Sequence, residues 1–171
     1  MDELERLVDL YRTREASSAR SKLDVLMDLE RIRDPRVVAF LLRVLGDRQE
    51  RDEVRIHIVR QLRNDSGIVV PFDRPVVSRA LVEVLSETSV DNLRVQAALV
   101  LGDFTEMECV LPALAALSLA HDQSIDLRYA AFTSIERAGP TPQSIAVMQQ
   151  IALDDALGSA ARSVLWAWHN A

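Results

Sequence analysis

Apolar residues recur along this chain at helical spacing, and they do so around a repeated arginine. Five segments join a small or aliphatic residue to an arginine: Ala19-Arg20, Val54-Arg55, Leu93-Arg94, Leu127-Arg128 and Ala161-Arg162. The steps between the arginines are 35, 39, 34 and 34 residues. Three positions after each arginine stand Leu23, Ile58, Ala97, Ala131 and Leu165. Seven positions after stand Met27, Leu62, Leu101, Ile135 and His169, the last being the one polar exception. Offsets of −1, +3 and +7 lie on one stripe of a helix, because side chains three and four apart are neighbours there. Each arginine therefore marks an amphipathic helix with a buried seam.

A second apolar-periodic segment precedes each of these helices. The later four cover 35–47, 74–87, 108–122 and 142–155, and the first repeat keeps one at about 2–15. Several start as helices should. Asp34-Pro35 and Thr141-Pro142 each put a capping side chain directly before a proline in the first helical position. Asp91 and Asp126 sit at the start of arginine helices, where a carboxylate meets the positive end of the helix dipole. The pattern predicts an all-α chain forming one domain over 1–171. It consists of about five stacked helix pairs, at 2–32, 34–64, 74–104, 107–139 and 141–170. The 39-residue step places a longer connection at 64–74, with sequence NDSGIVVPFDR. No single pair can bury its apolar face alone, so stacking is what supplies the core. An arginine repeated at every period is expected at the edge of that core, bound to an acidic residue or a helix-end carbonyl of the adjacent repeat.

The period, the helix pairing and the string Leu93-Arg94-Val95-Gln96-Ala97-Ala98-Leu99-Val100-Leu101-Gly102 resemble HEAT repeats. The similarity covers roughly residues 15–170 and is nearest to the short bacterial repeats of phycobilin lyase-like proteins. The resemblance implies an armadillo-like α-solenoid, a right-handed superhelix whose second helices line a concave partner-binding side. Pigment chemistry is the alternative it brings: a bilin lyase or a lyase-associated subunit. A helical-repeat DNA glycosylase is a third similarity, and it would need a basic concave face.

Charge argues against that third reading. The net charge is −6, with residues 1–85 balanced at 16 basic and 16 acidic and residues 86–171 holding 4 basic against 10 acidic. A nucleic-acid binder needs a basic footprint, and only the stretch with Arg48, Arg51, Arg60, Arg63 and Arg74 could offer one. Of the 20 basic residues 19 are arginine, and Lys22 is the one lysine. A single cysteine, Cys109, excludes an internal disulfide framework and suits a reducing, cytoplasmic setting. The charged N-terminal stretch has no signal-peptide core, and no run approaches a membrane span of roughly 18 apolar residues. The expectation is a soluble cytoplasmic protein that does not bind membrane.

Searching for reaction chemistry yields no constellation. His57, His121 and His169 fall in different repeats, and with one cysteine there is no zinc spacing. Five glycines cannot assemble a phosphate loop. His121 lies twelve residues from Cys109, at the other end of one helix and about 18 Å away at ~1.5 Å per residue, so a Cys–His dyad is not expected. Asp154-Asp155 fits helix capping better than acid–base work. Neither a catalytic residue nor a cofactor or metal is expected.

What remains is surface. If −1, +3 and +7 are buried, positions +1, +5 and +8 from each arginine face away from the seam. The middle of that set is unusual, since Ile56, Val95, Leu99 and Tyr129 are apolar where solvent is expected. Together with Arg60, Arg63 and Glu136 they define a candidate partner-binding groove for an amphipathic helix or a hydrophobic ligand. The competing possibility is that neighbours, or Ile68, Val69, Val70 and Phe72 of the long connection, cover those residues. At the end of the sequence Trp166 and Trp168 either form a lid over the last repeat or a self-association face. The function expected is a non-catalytic protein-interaction module, an adaptor, scaffold or regulatory subunit with a protein partner.

Overall fold

The computed structural model describes residues 1–13, 19–88 and 90–171. Ten α-helices and no strand occur among the described residues. They are α1 (Glu3–Thr13), α2 (Ala19–Glu30), α3 (Arg36–Gly46), α4 (Asp52–Gln61), α5 (Arg74–Leu85), α6 (Asp91–Leu101), α7 (Val110–Ser118), α8 (Ile125–Arg137), α9 (Pro142–Ile151) and α10 (Gly158–His169). The fold is all-α. None of these helices is long and apolar enough to cross a membrane. The expected end of α1 at residue 15 and the inward Ala19 side chain lie outside the described residues.

The chain divides into two compact units, Met1–Ala80 and Leu81–Ala171. In the first, α1 packs on α2, α3 on α4, and α2 on α4. In the second, α7 packs on α8 and α9 on α10, while α6 meets α8 and α7 meets α9. The seams are aliphatic, as their spacing dictates. Val37, Val38, Phe40, Leu41, Val44 and Leu45 are all buried on α3, each worth roughly 1.5–3 kcal/mol on removal from water.

Capping follows the sequence closely at two places. Thr141 Oγ1 accepts the Ser144 N–H at 3.1 Å while Ser144 Oγ accepts the Thr141 N–H at 2.8 Å, a reciprocal box ahead of Pro142. Asp34 Oδ1 accepts the Arg36 N–H at 2.8 Å, with Pro35 already in helical geometry. The bonds from Arg36 lower the Asp34 pKa to about 2. α8 is capped by Ser124, whose side chain takes the Leu127 N–H, and Asp126 stands inside the first turn. Gly139 then turns the chain at φ 74°, in the left-handed region open to glycine.

The repeated arginine ties together four of the five pairs. Arg55 Nε donates to Leu45 O at 2.9 Å, Arg94 Nε to Leu85 O at 3.0 Å and Arg128 Nε to Ser118 O at 2.9 Å. Arg162 Nη1 donates to Ala152 O at 2.7 Å. The carbonyl thus belongs to the end of the preceding helix of the same pair, whereas the sequence reading placed it in the adjacent repeat. The outer nitrogens reach onward instead: Arg94 Nη1 to Gln123 Oε1 at 2.8 Å and Arg128 Nη2 to Asp154 Oδ1 at 2.6 Å. Planar guanidinium suits this task, since its donors point in several fixed directions at once.

The first repeat corrects the expected register. Arg20 is exposed, and Lys22 occupies the buried place. Its Nζ meets both oxygens of Glu50 at 2.9 and 3.1 Å, and Tyr11 Oη donates to Glu50 Oε2 at 2.5 Å. A shared bond fixes the alignment independently. Gln61 Nε2 donates to Leu26 O at 2.9 Å, as Ser134 Oγ does to Ala98 O at 2.6 Å. Gln61 and Ser134 each stand six residues after the repeat arginine, and Ala98 stands four after Arg94; Leu26 stands four after Lys22. Consequently Val25, expected outward, is buried, and Met27, expected inward, is 44% exposed. The sequence matched the letter Arg where the helix had used the other long cation.

Candidate interaction face

The seven residues singled out from sequence all lie on second helices or just beyond them. Ile56 and Arg60 are on α4, Val95 and Leu99 on α6, and Tyr129 and Glu136 on α8, with Arg63 two residues after α4. In the first unit Arg60 and Arg63 are exposed and Ile56 is half-buried. Arg63 Nε lies 2.9 Å from Asp65 Oδ1, which ties it to the start of the long connection. Within that unit the connection forms two short 3-10 helices, Asn64–Ser66 and Pro71–Asp73. Arg33 Nη1 donates to Gly67 O at 3.2 Å, and Ile68 and Val70 share a cleft of about 190 Å³ with Ile32, Pro35 and Val37. Phe72 is left exposed.

In the second unit α6 and α8 pack on one another and bring four of the seven onto a common pair of helices. Val95 and Leu99 are half-buried, while Tyr129 is 52% exposed. Ile125, one turn ahead of Tyr129, is also 52% exposed. The stripe on α8 therefore reads Ile125, Tyr129, Thr133 and Glu136, at helical spacings of four, four and three. The buried Phe132 ring lies 5.6 Å from the Tyr129 ring between centroids, tilted by 32°. The two helices approach closely because Gly102 has no side chain. A Cβ there would lie 2.6 Å from Arg137 Nη1 and 2.9 Å from Ser134 Oγ.

Sequence reasoning missed Ile125, Asp122 and Asp126 as parts of this face. The positions opposite the seam were counted forward from the arginine, and Ile125 stands three residues before it. Counting one turn back from Tyr129 along the same stripe finds it.

The titratable groups are used structurally. Asp154 accepts the backbone N–H groups of Leu157 and Ala156 at 2.8 and 2.9 Å, capping the turn that opens α10. The Leu157 bond, with the Arg128 bond opposing the cost of burial, lowers its pKa below the ordinary carboxylate value. Burial pushes Glu50 up, but the Tyr11 and Lys22 bonds more than offset it, and its pKa also lies low. Burial lowers the His57 pKa, and among the described residues its buried Nε2 has no hydrogen-bond partner. Cys109 precedes α7 and His121 follows it, the latter exposed with Nδ1 3.5 Å from Asp154 Oδ1. Among the described residues no group of three His, Cys, Asp or Glu side chains converges to hold a metal ion.

At the end of the sequence the two tryptophans separate. Trp168 is half-buried beside a cleft lined by Ile145, Gln149, Leu165 and His169, as a lid residue would be. Trp166 is 71% exposed. No protein-family model matches this chain, and no curated protein matches it.

Proposed function

We propose that the ten helices are HEAT-like pairs and that the chain is a non-catalytic protein-interaction module, each unit of it stacked as a length of α-solenoid. The recurrence of one hydrogen bond supports the repeat: an arginine on the second helix closes on a carbonyl 9 or 10 residues earlier in all four pairs that contain it. Such a bond has no chemistry to perform at each period other than holding pairs together.

The binding faces are the second helices, α2 and α4 in one unit and α6, α8 and α10 in the other. One observation favours this over a purely structural role. Ile125 and Tyr129 lie half-exposed on a helix whose opposite side already supplies the seam through Leu127, Ala131 and Ile135. Adjacent exposed apolar side chains of this size are the usual anchors of a partner surface.

A photo-reactive amino acid at Tyr129 tests the reading, with Ala116 on α7 as the control on a first helix. A discrete adduct to another protein, formed from position 129 and absent from 116, is the expected result. Equal labelling from both positions, or none from 129, refutes it.

A further inference from the structure

Residues 81–171 hold four arginines against eleven aspartates and glutamates. All four arginines are occupied within the unit. Arg94 bonds Leu85 O and Gln123, Arg128 bonds Ser118 O and Asp154, and Arg162 bonds Ala152 O. Arg137 donates to Leu99 O at 2.9 Å and pairs with Asp103. The carboxylates beside the α6–α8 face are not matched in this way. Asp122, Asp126 and Glu136 are exposed, and among the described residues none of them pairs with a cation. Asp91, at the start of α6, has Arg94 at 3.8 Å, beyond hydrogen-bonding distance.

The same face holds the apolar stripe. Asp122 and Asp126 flank Ile125 and Tyr129 at the start of α8, and Glu136 closes the stripe near its end. Taking the interaction-module reading as its basis, we infer that this face docks a cationic amphipathic segment of a partner protein. Val95, Leu99, Ile125 and Tyr129 receive its apolar side chains, and Asp122, Asp126 and Glu136 receive its lysines or arginines.

Charge complementarity selects this occupant. An anionic or neutral segment would leave the three carboxylates facing either like charge or apolar surface, and both arrangements are unfavourable. The Tyr129 ring is also 52% exposed, and an exposed tyrosine ring is a site at which a cation gains from the ring quadrupole. Polyanions are repelled by the same groups, so duplex nucleic acid and anionic lipid surfaces are disfavoured here.

The test uses the full chain and a fluorescent helical peptide of roughly five turns, with arginine on one face and leucine on the other. Neutral and anionic versions replace the arginines by glutamine or glutamate, and binding is followed by anisotropy at low and high salt. Saturable binding of the cationic peptide is expected, weakening with salt. It should fall at least about tenfold in Asp122→Asn/Asp126→Asn and in Tyr129→Ser. Those side chains are exposed, so melting curves should shift by no more than the small helix-dipole contribution of Asp126, and Ile125→Ser gives a second apolar probe if Tyr129→Ser disturbs Phe132. Neutral or anionic peptide bound as tightly, and lost in Tyr129→Ser, overturns the cationic assignment while the interaction module stands. Binding indifferent to every variant, or tight binding of duplex DNA or phosphatidylserine vesicles that Tyr129→Ser abolishes, overturns it as well. If no peptide of any charge binds, the cationic docking assignment falls, while the adduct formed from position 129 decides the interaction-module reading separately.

Discussion

Replacing Arg128 by methionine is the most direct probe of what holds the second unit together. The guanidinium is 7% exposed and its partner Asp154 only 1%. Its Nε bond to Ser118 O and its Nη2 bond to Asp154 are both lost in the variant, while methionine keeps most of the buried length. Removing one member of a buried ion pair costs about 3–5 kcal/mol, because the remaining charge stays desolvated. Asp154 is partly protected, since two backbone N–H groups still bond it, and this pulls the figure towards the lower end. Leaving Ser118 O without its donor adds about 1 kcal/mol or more. The expected loss is about 4 kcal/mol, a large part of the ~5–15 kcal/mol that stabilises a typical domain.

Urea unfolding followed by circular dichroism measures it, with three companions. Arg128→Lys keeps the charge but not the fork and should lose roughly half as much. Arg162→Met removes an exposed version of the same carbonyl bond and should cost under about 1 kcal/mol. Arg128→Met/Asp154→Asn closes a double-mutant cycle and should show coupling of about 1–3 kcal/mol. If Arg128→Met costs no more than Arg162→Met, or the cycle shows no coupling, the cation is not the staple described above.

Other substitutions separate further parts of the structure. Gly102→Ala forces Arg137 and Ser134 away from their positions and should cost about 1–3 kcal/mol in thermal or urea unfolding. Thr141→Ala removes the α9 cap and should cost about 1 kcal/mol by the same measurement, with Thr141→Ser close to neutral. His57 has a folded-state pKa below its ordinary value, so the unfolded chain takes up the proton first. Stability should be flat above about pH 6.5, fall as pH drops through the folded value, and lose this step in His57→Gln. Glu50 and Asp154 have lowered pKa values too, so their contribution persists above about pH 4.5 and disappears only below it. Unfolding free energy followed across pH, with and without the His57 change, separates the two windows.

The all-helical fold was legible because seam residues recur at the helical period with little interruption, and no turn-rich or alternating segment competes. The Thr141 and Asp34 caps were legible for a similar reason: they are local, and a side chain beside a proline has few alternatives. Along α4, α6 and α8, counting positions opposite the seam gave Arg60, Arg63, Tyr129 and Glu136 as exposed, which they are. Ile56, Val95 and Leu99 are only half-exposed. Val95 and Leu99 lie on α6, which packs against α8, and helical counting on one element cannot contain a neighbour's shadow.

The repeat cation shows where sequence pattern gives way to three-dimensional chemistry. A guanidinium can bond a carbonyl through Nε and an acid or amide through Nη because its donors diverge in a plane. Lys22 has one nitrogen, and both of its bonds go to Glu50. The link back to the preceding helix is then made by Tyr11 on α1, eleven residues before Lys22, whose hydroxyl bonds the same carboxylate. Tyrosine and lysine together perform what one arginine does in the other pairs, and they keep the cation buried against the ring at 5.1 Å. A search for repeated letters finds Arg20, two residues away and exposed; a search for a long cation one turn ahead of a buried aliphatic pair finds Lys22, with Val25 and Leu26 behind it. What recurs from pair to pair is a link from the second helix back to the first, and the residues that make it are free to change.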